Sequence, residues 1–83
     1  MRWVAEGGEM ARYFFNLQDG NAVLRDDLGE EFNNIEEARN HAFQVARELG
    51  RNRPERIRAQ QRLLITDASG VELFQLPLLL EPV

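Results

Sequence analysis

The chain's 83 residues allow one small domain, and 43% hydrophobic with 29% charged residues is a composition that folds, which excludes global disorder. A net charge of −4 argues against whole-surface attraction to phosphate, and the absence of cysteine excludes disulfides, thiolate metal sites and cysteine nucleophiles. No apolar run approaches the roughly 20 residues of a membrane helix, and the opening residues lack a signal-peptide core, so a cytoplasmic protein is expected.

Residues 1–9 have neither helical nor strand periodicity and read as an extension, disordered or arising from a mis-assigned start. Met10 is the expected native start, opening Met10-Ala11-Arg12-Tyr13-Phe14-Phe15. The domain is expected to span residues 10–80, with residues 81–83 as a tail. From Arg12 the aromatics favour a strand, with Tyr13, Phe15 and Leu17 on one face and Phe14 and Asn16 on the other. Gln18-Asp19-Gly20-Asn21 supplies a hairpin turn and Ala22-Val23-Leu24-Arg25 the returning strand. Asp26-Asp27-Leu28-Gly29 is a second turn signal, after which Glu30-Glu31-Phe32 extends the chain briefly.

The clearest element is a helix opened by Asn34, with Glu37 three residues on as in a capping box. Ile35, Ala38, Ala42, Val45, Ala46 and Leu49 form one narrow apolar stripe, shallow enough for the helix to lie close on a sheet. Gly50 suits the position just past its C-terminus. A polar connector, residues 51–61, follows, in which Pro54 can start a short helical turn. Arg62–Thr66 and Val71–Leu76 then make a second hairpin about the Asp67-Ala68-Ser69-Gly70 turn, ended by Pro77 or lying at an edge. The order β-β-α-β-β predicts an α+β domain with one helix packed on an antiparallel sheet.

Arg12-Tyr13-Phe14-Phe15, the Asp19-Gly20 turn, Asp26-x-x-Gly29-x-Glu31, the alanine-spaced helix and Asp67-x-x-Gly70-x-x-Leu73 occur in that order. The arrangement resembles a domain-of-unknown-function family of short alphaproteobacterial proteins beginning Met-Pro/Ala-Arg-Tyr-Phe-Phe, over Met10 to about Leu79. That resemblance implies the fold and start site and carries no activity. The two-stranded opening and the helix Ile35-Glu36-Glu37-Ala38-x-x-x-Ala42 also look like antitoxins with a partial RNase-H-like fold, which neutralise small RNA-cleaving toxins.

The candidate chemistry is thin. Asp19, Asn21, Asp27 and Glu30 fall at calcium-loop positions 1, 3, 9 and 12, but Leu24 stands where the loop needs glycine and Val23 offers no side-chain oxygen. His41 is the lone histidine, at the solvent boundary of the helix, and Ser69 the lone serine, in a turn, so no triad can be built. No enzyme activity, metal or cofactor is expected. Charge is bipolar: residues 1–37 carry net −6 and residues 38–62 net +5. Arg51, Arg53, Arg56 and Arg58 are candidate anion contacts, although no aromatics interleave for base stacking.

The stronger expectation is geometric. One helix covers one sheet face, and the strands place apolar residues on both. Phe14, Leu64, Phe74 and Leu76 are therefore the candidate interaction surface, to be covered by the Leu78-Leu79-Leu80 segment or a second chain. The reading is a non-enzymatic protein-interaction module, expected as a homodimer or docked on another protein. The alternative is an antitoxin-like or nucleic-acid-associated regulator using the arginine-rich connector.

Overall fold

The computed structural model describes residues 10–78, so the expectations for residues 1–9, for Leu79 and Leu80 and for the 81–83 tail lie outside the described residues. The strands are β1 (Ala11–Asp19), β2 (Ala22–Leu24), β3 (Glu30–Phe32), β4 (Gln61–Asp67) and β5 (Glu72–Pro77). The main helix α1 (Ile35–Arg51) and a single turn α2 (Glu55–Arg58) lie between β3 and β4. The fold is the expected small α+β domain, one helix on an antiparallel sheet, with Glu30–Phe32 forming a short third strand.

The sheet runs β2-β1-β4-β5, every pair antiparallel, with β3 beside β1 on the same edge as β2. β2 pairs with the C-terminal end of β1 (Leu17↔Leu24) and β3 with its N-terminal end (Tyr13↔Glu30). Gly20 opens the two-residue turn between β1 and β2 at φ +61, a conformation that glycine adopts without a side-chain clash. In the second hairpin the Asp67 carboxylate accepts the N–H groups of Ser69 and Val71 at 2.8 and 3.0 Å, fixing the turn locally.

Helix α1 starts where its cap residue predicts. The Glu37 N–H donates to Asn34 Oδ1 at 2.9 Å. The return bond of the expected capping box is displaced by one residue: the Glu37 carboxylate accepts the Asn33 N–H at 3.0 Å. Ala38, Ala42 and Ala46 are fully buried against the sheet, with Val45 and Leu49 packed beside them. Facing them are Tyr13, Leu63, Ile65 and Leu78, joined by Phe15, Leu17, Phe32, Phe74 and Leu76. Small helix residues bring the backbone close, and the sheet supplies the bulk.

Gly50 does not sit past the helix end. It lies inside the last turn, and Asn52 is the C-cap. A Cβ on Gly50 would stand 2.6 Å from the Leu78 carbonyl oxygen, so glycine is required there by the close approach of the segment after β5. Pro54 precedes α2 as its N-cap, and its carbonyl accepts the N–H groups of Ile57 and Arg58 at 3.0 Å each.

Candidate interaction surface on the helix-free side of the sheet

Alternation along β1 and β4 sends Arg12, Phe14, Asn16 and Gln18, with Arg62, Leu64 and Thr66, to the side away from α1. Phe14 lies across from Thr66, and Asn16 across from Leu64. Phe14 and Leu64 are half-buried and Leu73, on the adjoining β5, is exposed, so this side keeps apolar surface with no helix over it among the described residues.

Only two of the four residues expected here are here. Ile65 pairs with Phe74 and Leu63 with Leu76, which puts Phe74 and Leu76 on the helix side, against the core. The expectation that grouped them with Leu64 is thereby corrected. A register shift between Ile65 and Thr66 gives β5 an extra residue opposite Thr66, and such a bulge sets which parity of the strand faces the helix. Leu78 is likewise buried on the helix side and covers none of the second face.

Part of the cover comes from the chain itself, through an arrangement that the sequence signalled only as a turn. Between β2 and β3 the chain leaves the edge of β1 over residues 25–29, and the Asp26 side chain takes the place of the missing strand. Its Oδ2 accepts the Phe15 N–H at 3.1 Å, and its Oδ1 accepts the N–H groups of Leu28 and Gly29 at 3.2 and 3.0 Å. Asn16 completes the network: Oδ1 accepts the Asp26 N–H at 2.9 Å, while Nδ2 donates to the Leu64 carbonyl and to Thr66 Oγ1, each at 3.3 Å. That is why Asn16 is 8% exposed on a face that has no helix.

Gly29, at φ +69, stacks against the Phe14 ring, where an added Cβ would lie 2.8 Å from a ring carbon. Arg12 donates to the Leu28 carbonyl at 2.7 Å and to Glu31 at 3.1 Å, which closes the outer side of the loop. Burial alone raises the Asp26 carboxyl's pKa. The N–H groups of Gly29, Phe15 and Leu28, with the Arg12 charge, outweigh it and hold the group below its ordinary value. Leu28, at the tip of this loop, is 80% exposed.

The remaining polar groups are dispersed. Arg53 donates to the Leu49 carbonyl at 2.7 Å, satisfying the last turn of α1, and the Arg58 side chain lies over Gly50. Arg51 and Arg56 are exposed. His41 sits at the boundary expected of it, its ring against Phe15 and Phe32 and its Nε2 3.3 Å from Glu30 Oε1. Among the described residues no group of three or more histidine, aspartate or glutamate side chains stands close enough to hold a metal ion. No helix among them is long and apolar enough to cross a membrane.

Residues 12–79 match the model of a family described as a domain of unknown function, DUF6894. The chain belongs to this family. The match takes in β1 from Arg12 onward and every later strand and helix among the described residues, with the Arg12–Phe15 and Asp26–Glu31 segments inside it. No curated protein and no solved structure matches the chain.

Proposed function

We propose that the domain is a non-enzymatic protein-interaction module that self-associates, with its sheet as the contact structure. The observation that carries this reading is the one-sidedness of the fold among the described residues: α1 packs on one face, and the other keeps Phe14, Leu64 and Leu73, with residues 25–29 at its margin. The size of the core supports it. Leu63, Ile65 and Leu78 are the largest fully buried side chains among the described residues, and the fully buried helix residues opposite them are alanines and Gly50. A core of this size seldom supplies more than about 3–5 kcal/mol alone, which favours association.

The alternative, phosphate contact through the connector, has less support. Arg53 is bonded to the end of α1 and Arg58 is folded over Gly50, so of the four candidate arginines Arg51 and Arg56 are the exposed ones. Sedimentation equilibrium of the full chain tests the main reading, with a dimer expected. A monomer at every concentration up to about 100 μM, where a contact of about −5.5 kcal/mol would be half formed, would overturn it.

A further inference from the structure

The two edges of the sheet differ. On the β1 side the edge is interrupted: β2 and β3 are three residues each, and the Asp26 carboxylate occupies the gap between them. On the other side β5 is one six-residue strand, bulged beside Leu73, with no neighbour beyond it among the described residues. The Leu78 N–H donates to the Gln61 carbonyl at 3.4 Å, so in the Leu63↔Leu76 and Ile65↔Phe74 register Phe74 and Leu76 direct their backbone groups at β4. Gln75 and Pro77 direct theirs outward. Pro77 therefore occupies a position where a missing N–H leaves no ladder bond unmade, and the Gln75 N–H and C=O are the fully presented pair.

Edges that must stay unpaired commonly carry charge, proline or a bulge; on β5 these stand at the two ends, Glu72 with the bulge at one and Pro77 at the other, and Gln75 between them carries none. The side chains along the edge are instead apolar or neutral. Phe74 and Leu76 are half-buried on the helix side, where Arg39 lies over the Phe74 ring at 5.2 Å. Phe43, one helical turn from Arg39 on the same flank of α1, is 39% exposed. On the helix-free side the Gln75 side chain bridges Arg62 and Glu72.

Resting on the self-association reading, we infer that two copies join edge to edge through β5, antiparallel, with Gln75 on the two-fold axis. Gln75 exchanges both backbone hydrogen bonds with Gln75 of the second copy. Phe74 then lies across from Leu76 of that copy, which encloses apolar surface that one copy leaves half-exposed. A second copy fits because the central residue is self-complementary. Its backbone N–H and C=O both face outward, so each copy offers the donor and the acceptor that the other needs, and its side chain, held by Arg62 and Glu72, brings no charge to the axis. Pro77 and the bulge beside Leu73 end the ladder symmetrically on both sides. The joined sheets also merge the two helix-free faces into one surface, leaving Phe14 and Leu64 accessible.

A single introduced cysteine tests this, because the chain has none of its own. Gln75 is exposed, and paired residues on such an axis have Cα atoms about 5.5 Å apart, within disulfide reach. Under mild oxidation, with folding checked by circular dichroism, Gln75→Cys should cross-link to a covalent dimer far faster than Arg47→Cys on the exposed face of α1. Gln75→Pro removes the outward N–H, together with the side-chain bridge to Arg62 and Glu72, while leaving the bonds to β4 in place, and should weaken association about tenfold or more. Equal cross-linking rates for the two cysteine variants would overturn the edge assignment; if the wild-type chain still sedimented as a dimer, self-association itself would stand. A monomeric wild-type chain would defeat both.

Discussion

The two faces of one sheet are built on different principles. On the helix side, contact is apolar and close: alanines of α1 against Leu63 and Ile65, with Gly50 admitting the Leu78 backbone. On the other side, cohesion is polar and local: Asn16 and Asp26 tie a loop to the strand edge, and Phe14 rests on Gly29. The first face is a core that gains stability by excluding water. The second is a surface held in shape by hydrogen bonds, with its apolar residues left half-covered, which is the condition of a contact surface.

Substitutions at neighbouring positions should separate the two. Ile65→Ala, at a fully buried site, should cost about 2–4 kcal/mol in denaturant unfolding. Asp26→Ala strands three backbone N–H groups and should cost about 1–3 kcal/mol, and it should loosen residues 25–29 selectively in hydrogen exchange. Gly50→Ala should destabilise by about 1–2 kcal/mol in spite of alanine's better helix propensity, because the Leu78 backbone must retreat; a stabilised variant would refute the close approach. Leu64→Glu, on the helix-free face, should shift stability by less than about 1 kcal/mol. A loss as large as that of Ile65→Ala would erase the distinction.

Acid sharpens the contrast further. The Asp26 pKa is depressed on folding, so its contribution is complete above the ordinary carboxylate range and is lost as pH falls below about 4 toward the folded value. Asp26→Asn should therefore flatten the acid limb of the stability profile, while Ile65→Ala should lower the whole curve without changing its shape.

Much of this was legible in sequence because it is local. The Asn34 cap, the alanine stripe and both hairpin turns depend on residues a few positions apart. What required the structure depends on register and on distant approach. Whether Phe74 and Leu76 face the helix is set by a one-residue bulge, which alternation within β5 alone does not reveal. Gly50 carried a helix-end signal, yet its role is set by Leu78, 28 residues away. The Asp26 network had a partial sign in Asp26-x-x-Gly29, the spacing at which an aspartate caps the turn that follows it. That its second oxygen would take the Phe15 N–H of a distant strand was not in the spacing.

The central claim is that a domain with so small a core gains stability by associating through its sheet, and the concentration dependence of its thermal midpoint tests this most directly. If folding and assembly are coupled, raising the protein concentration about a thousandfold should raise the midpoint by several degrees. A midpoint that stays constant across that range would contradict the account, because it would show that the domain is stable without a second copy.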